Sequence, residues 1–460
     1  MVDVDRRATG STTIRNRDAV AITPPAPRPE VAGYHGTAAA TSTRQKSLFP
    51  DVGAAILPRR MKIALIHYSS WPEMGGVENV MRDQANMFVA AGHEVKVISG
   101  LGGDPQEGYE FVLVPEMSPD YPHNKTVRAV LDRGQMDQGF NFYRSKLIDA
   151  LDAVLADVDL TIVHNVFTVH FNLPLTRALH DLAPRHKMIA WTHDLTVTNP
   201  DYSLPNPNQM PWNLMRTPSK EVIYVATSDL RAAELKIHLK FSATPQIIPN
   251  MVDPARLFGC TADVRKALLA LEIPWRDFVF LLPARVLVRK NIEFAIEVVK
   301  ELIALGRNPL LLITAAKGRD NAAAEHYSAF MRQSLPEELE RHIIFVSDFF
   351  PTTDEVMRDL YLLSDCVFFP SRSEGFGLPV LEAAMHRMPV WCQEIPAFRA
   401  LEGADTFVFK DIAQLPEAVD WLEQQPAFRQ QRRCRRLFDP IIIYSRFYDA
   451  FLNSIPIRKS

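Results

Sequence analysis

The sequence predicts an α/β protein made of two Rossmann-like, doubly wound domains, and three observations carry that expectation. A strand, a glycine-bearing loop, a helix and a second strand succeed one another from Lys62, the βαβ unit of a parallel sheet. A second alternation of apolar runs and helical patterns begins after Asn250 and continues past residue 380. The chain, at 460 residues with 47% hydrophobic content, also exceeds what one core usually organises.

Residues 1–60 are rich in Ala, Thr, Pro and Arg, with no sustained period and few large apolar residues, so a disordered extension is expected there. Met61 opens the first strand, KIALIHY, which the loop SSWPEMGG joins to a helix. In that helix Val77, Val80, Met81, Met87, Phe88 and Ala91 share a face, and Gly92 stands where a helix stops. After the strand HEVKVIS, further strands are expected at residues 111–114, 160–163, 188–191 and 223–226. A Pro- and Asn-rich loop from His193 to Ser219 separates the last two. Its Tyr202 and Trp212 are more naturally packed onto their own domain than offered to a sugar face. The second series runs strand VFLLPAR, helix NIEFAIEVVKELIALG, strand PLLLIT, helix AAAEHYSAFMRQSL, strand HIIFVS, helix DEVMRDLYLLS.

Chemistry concentrates in Ser364–Val390. The apolar run Cys366–Phe369 reads as a buried strand, Ser371 to Ser373 as a turn, and Gly375, Phe376 and Gly377 as a loop feeding a helix that Pro379 can begin. Leu381, Ala384, Met385 and Met388 follow as its expected apolar face. A glycine loop at a helix N-terminus offers unpaired N–H groups and partial positive charge to a phosphate. Glu374 before the loop and Glu382 within the helix can accept hydrogen bonds from sugar hydroxyls. Arg285 and Lys290, at the end of the strand VFLLPAR and in the turn after it, suit a diphosphate, though alone they read as a solvated pair. Gly75 and Gly76 follow the first strand at its carboxyl end, where ligands bind in such sheets, and His193 follows the strand MIAWT at the rim of the same sheet.

Glu374 to Glu382 in S-E-G-F-G-L-P-V-L-E-A, P-E-M-G-G-V-E with the later G-H-E-V, R-x4-K-N from Arg285, and I-P-N-M-V-D, with Met251 in place of glycine, stand in one order. That set resembles the retaining glycosyltransferases of family four, which have the GT-B fold: two doubly wound domains facing across a cleft, with the C-terminal helix crossing back to the first. With 1–60 set apart as the extension its composition suggests, the resemblance implies an acceptor-side domain at 61–255, a nucleotide-sugar domain at 256–438 and a returning helix at 439–460. It implies His193, Arg285, Lys290 and Glu374 as catalytic residues. Donor binding would fall to Gly75, Gly76, Arg285, Lys290, Glu374, Gly375, Phe376, Gly377, Leu378 and Glu382. The donor would be a GDP- or UDP-hexose, mannose or glucose favoured, with no cofactor and no obligatory metal, and the acceptor a small soluble sugar, glycoside or glycan. The alternatives are a lipid- or polysaccharide-directed transferase of the same family, a phosphorylase or epimerase on the same scaffold, and a catalytically silent binding module.

The rest of the sequence narrows the field. Lys plus Arg is 51 against 54 for Asp plus Glu, a net charge of −3 that points to no nucleic-acid partner. The arginines at 432, 433, 435 and 436 read as a solvated helix face while leaving peripheral contact with an acidic membrane open. Four scattered cysteines suit a reducing cytoplasm, and no apolar run approaches the roughly 18 residues of a membrane span. Asp157 and Asp159 match the letters of a metal-binding Asp-x-Asp but precede a strand instead of following one. No G-x-S-x-G marks a hydrolase nucleophile.

Overall fold

The computed structural model describes residues 59–73, 75–103, 108–315, 322–398 and 406–456. The reading of 1–60 as a disordered extension falls almost wholly outside them. The first domain is a seven-stranded sheet of β1 (Lys62–His67), β2 (Glu94–Ser99), β3 (Tyr109–Leu113), β4 (Leu160–His164), β5 (Met188–Thr192), β6 (Val222–Ala226) and β7 (Gln246–Ile247). Their order is β3-β2-β1-β4-β5-β6-β7, all parallel. Strands covered on both faces read as continuous apolar runs, and β4 and β5 are buried at every position. One face packs on Leu147, Leu151 and Leu155 of helix Gln138–Leu155 with Leu175, Leu179 and Leu182 of helix Leu173–Leu182. The other packs on Met81 and Phe88 of helix Gly76–Ala90.

The second domain repeats the plan with β8 (Phe278–Leu282), β9 (Pro309–Ile313), β10 (Ile343–Phe345), β11 (Cys366–Phe369), β12 (Val390–Gln393) and β13 (Thr406–Phe409), in the order β10-β9-β8-β11-β12-β13. Trp391 of β12 anchors its core, with ring centroids 4.8 Å from Phe280 and 5.4 Å from Phe409. In each sheet the strand order reverses beside the first strand, between β1 and β4 and between β8 and β11. In doubly wound sheets ligands bind at that point, outside the carboxyl ends of the strands. Asp157 and Asp159 lie at the opposite, amino edge: Asp157 pairs with Lys62 and Lys96, and Asp159 accepts the Lys62 backbone N–H at 2.7 Å. They form the expected helix-to-strand turn.

Past residue 438 the chain returns to the first domain, completing a GT-B architecture. Tyr448, fully buried, stacks on Trp191 of β5 at 5.5 Å and accepts a hydrogen bond from Gln84 Nε2 at 2.6 Å. His93 shares a hydrogen bond with Tyr444 at 2.8 Å, and Ile443 and Leu452 join the same core. Of the arginine cluster, Arg433 is exposed, but the other three do not form a solvated face. Arg435, 5% exposed, makes two 2.9 Å bonds to the buried Asp365, while Arg432 and Arg436 both reach Asp277. Periodicity could not show this, because the acidic partners lie about 70 and 155 residues earlier. Among the described residues no helix is long and apolar enough to cross a membrane.

Asp439, at the turn into the returning segment, caps it by accepting the Ile441 N–H at 2.9 Å. Burial pushes its carboxyl up to about 7. A carboxyl raised on folding holds its proton in the folded state over a range where the unfolded chain has lost it, so the protein loses stability as pH rises from about 4 to 7. Asp439→Asn keeps an acceptor for the cap and removes the titration. Melting curves at pH 5 and pH 7 are expected to show the variant gaining on the wild type at the higher pH, and an unchanged difference would refute this.

Candidate active site

Elements at the carboxyl ends of the two sheets carry the residues singled out in the sequence. In the second domain, Arg285 and the short 3-10 turn Val288–Lys290 follow β8, and Glu374 follows β11. The turn and the loop meet: Lys290 Nζ donates to Glu374 Oε1 at 2.5 Å and Arg289 Nη1 lies 3.0 Å from Oε2. Arg289 also donates to the Ser373 carbonyl at 3.1 Å. Lys290 is buried with its ammonium 4.6 Å over the Phe369 ring. Burial pushes its pKa below the ordinary lysine value against the pull of Glu374, and the nearby charges of Arg289 and Arg285 add to the fall. Burial alone would raise Glu374, but the Lys290 hydrogen bond and charge, with Arg289, hold it below the usual carboxylate range.

Gly377 adopts φ +99°, the left-handed region that favours glycine, and caps helix Leu378–Met385 with Pro379 in its first turn. Beside Gly375 the space is open, so a ligand can approach the backbone. The helix's apolar face differs from the expected one. Val380 and Ala383 are buried, whereas Leu381 and Met385 are 39% and 83% exposed and Leu378 and Phe376 are exposed too; Met388, past the helix end, is buried as expected. Apolar residues surround this helix, so spacing alone sets no phase, and the turn at Gly377 decides which face meets the sheet. Glu382 is exposed and accepts a 2.6 Å hydrogen bond from the Tyr361 hydroxyl, whose ring stacks on His386 at 4.7 Å.

In the first domain Gly75 caps helix Gly76–Ala90 with no side-chain partner, and a Cβ there would lie 2.0 Å from Glu78 Oε2. Glu78 is held by the Ser69 hydroxyl at 2.5 Å, while the space beside Gly76 is open. His193 follows β5. Its backbone N–H donates at 2.9 Å to Oδ1 of Asn165, a residue at φ +61° that also accepts the Asp194 N–H. Its carbonyl accepts from Arg231 Nε at 2.9 Å, and Arg231 pairs with Asp194 at 3.2 Å. Its Nε2 lies 3.0 Å from Nδ1 of His164, the last residue of β4. Burial pushes its pKa down to about 3, leaving a neutral ring.

Thus Lys290 and Glu374 are in contact, Arg285 acts on Lys290 through charge, and the partners of His193 all belong to the first domain. Arg289, Tyr361, His164 and Asn165 were not anticipated. Arg289 neighbours Lys290 in the R-K pair and could have been read with it, whereas Tyr361 passes for an ordinary helix aromatic until the fold sets it beside Glu382. Tyr202 packs edge-on against Phe171 at 5.4 Å, and Trp212 is buried in the first core, as their packing roles required. Among the described residues no group of three His, Cys, Asp or Glu side chains is placed to hold a metal.

Two family models match this chain one after the other: "Glycosyltransferase Family 4" over residues 74–256 and "Glycosyl transferases group 1" over residues 268–436. Mannosylglucosylglycerate synthase of Petrotoga mobilis is 25% identical over 386 residues, 77% of this chain and 85% of that protein. The protein of the same name from Thermotoga maritima is 24% identical over 369 residues, 74% and 82% of the two chains. The serotype-specific mannosyltransferase WbdA of Escherichia coli is 31% identical over 142 residues, 29% of this chain and 16% of its own.

Proposed function

The chain belongs to the family 4 (group 1) glycosyltransferases, one model matching each domain, and on that premise we propose that it moves a hexose from a nucleotide sugar to a hydroxyl of a small soluble sugar or glycoside, retaining the anomeric configuration and needing no obligatory metal. The observation that carries this reading is the contact of Lys290 and Arg289 with Glu374 beside the Gly377 helix terminus. It sets two cations, backbone N–H groups and a sugar-binding carboxylate within one ligand's reach. The second domain, 256–438, holds the donor and the first, 61–255, the acceptor. Mannose from GDP-mannose is the favoured donor sugar, with glucose from a GDP or UDP donor next. The relatives named for a compound of mannose, glucose and glycerate support mannose and a small, carboxylate-bearing glycoside acceptor. None of the four cysteines lies in a disulfide, which suits a cytoplasmic enzyme.

In this reading the donor diphosphate draws Lys290 and Arg289 toward itself, joins Arg285 and rests on the Gly375–Gly377 backbone. Negative charge on the leaving diphosphate then meets preorganised positive charge, the role a metal plays elsewhere. Glu374 turns to the sugar hydroxyls and Glu382, oriented by Tyr361, to the ribose diol. The acceptor hydroxyl attacks on the face the diphosphate leaves, and its proton passes to the departing phosphate oxygen.

The test is to supply GDP-mannose, GDP-glucose or UDP-glucose with glucosylglycerate, in chelator and with added magnesium, and to read nucleoside diphosphate release and product anomer by NMR. Release with one donor, an α-linked product and equal rates with and without magnesium are expected. Inversion or strict magnesium dependence would overturn the corresponding part, and turnover with inorganic phosphate in place of an acceptor would show a phosphorylase.

A further inference from the structure

Three histidines stand at the carboxyl edge of the first sheet, and the bonds between them dictate where each proton sits. His67 Nδ1 lies 3.0 Å from the His164 carbonyl. A carbonyl only accepts, so His67 carries its proton on Nδ1. The His164 ring, fully buried, lies 3.0 Å from His193 through Nδ1···Nε2, with the ring planes 16° from parallel and the centroids 5.3 Å apart, a separation an in-plane N–H···N bond accommodates. Both rings are neutral, since burial drives each pKa far below the ordinary histidine value. One nitrogen of the pair therefore donates and the other accepts.

His164 Nε2 breaks the tie. It is buried with no hydrogen-bond partner. A proton on it would be an orphaned buried donor, which folded proteins avoid more strictly than an orphaned acceptor. The proton therefore sits on Nδ1, His164 donates to His193 Nε2, and the His193 proton is confined to Nδ1. Among the described residues no partner is found for that nitrogen, and the side chain is partly exposed.

We infer that His164 is a positioning residue that locks His193 as an Nδ1–H donor toward the ligand, so that His193 gives a hydrogen bond to the donor sugar or its departing oxygen and does not act as a base. The role in turnover rests on the reading of His193 as facing the donor sugar, whereas the tautomer follows from the first domain alone.

The experiment is a long-range 1H–15N spectrum of the full 15N-labelled chain, with His193 assigned by its absence from His193→Asn. A protonated Nδ1 and bare Nε2 on His193 are expected, and Nε2–H in the wild type overturns the inference at once. In His164→Leu the constraint is gone, and the His193 nitrogens should move toward the averaged shifts of mixed tautomers. The kcat should fall about ten- to a hundredfold, the scale on which outer partners that orient a functional imidazole act, with KM for the donor little changed. His164→Asn, whose amide N–H stands near the lost Nδ1–H, should restore both readouts. Unmoved His193 shifts in His164→Leu overturn the lock. Full activity in His193→Ala, with the tautomer as expected, would instead sink the reading of His193 and leave the lock standing.

Discussion

Replacing Lys290 by alanine is expected to lower kcat by about a hundredfold or more, because it deletes one preorganised cation from the leaving diphosphate. The effect should be large because this ammonium is not a solvated charge. It is 8% exposed, lies over the Phe369 ring and is held 2.5 Å from Glu374, so water cannot replace it. The substitution also leaves Glu374 with Arg289 as its cation, so the damage extends to the carboxylate assigned to the sugar. Calorimetry with the bare nucleoside diphosphate separates the two. Lys290→Ala should bind it more weakly, whereas Glu374→Ala, which frees Lys290 from a competing anion, should bind it at least as well as the wild type while turning over poorly. A Lys290→Ala enzyme within about threefold of wild-type kcat would remove Lys290 from the leaving-group site.

The largest expected loss of stability comes from Asp365→Ala in the second domain. Asp365 holds Arg435 through two 2.9 Å bonds and also accepts the Val279 N–H at 2.8 Å, tying β11, β8 and helix Pro426–Phe438 together. Removing one partner of a buried pair strands the other charge, at a cost of about 3–5 kcal/mol. Adding Arg435→Met should return much of that, because the stranded charge goes with it. Urea unfolding followed by a probe in the second domain reads both variants. A cost below about 1 kcal/mol for the single change would put the pair among weak surface bridges.

The alternation of apolar runs and helical patterns was enough to anticipate two parallel sheets, because strands buried on both faces leave an unmistakable sequence trace. The short strands β7, β12 and β13 left no such trace, and β12 is held in part by Trp391 packing against Phe280, 111 residues earlier in the sequence. At the site, motif spacing pointed to Lys290, Glu374 and Glu382 because local turn geometry fixes them. Tyr361 and His164 could not be read in the same way. The importance of each depends on a hydrogen bond across 21 and 29 residues, and only the fold supplies that pairing. The exposed Leu381 and Met385 show the converse, apolar letters at helical spacing that the fold turns outward.

Tyr448, wedged between Trp191, Phe88 and Gln84, has a consequence in time. The first domain's core is closed by residues that leave the ribosome about two hundred positions after its last strand, a wait on the order of ten to forty seconds at ordinary rates of synthesis. Through that interval the nascent first domain carries an open apolar slot on Trp191. It is the stage at which a chaperone would find a purchase, and at which a ribosome stalled before residue 440 would leave a finished sheet with its Trp191 face uncovered and prone to aggregate.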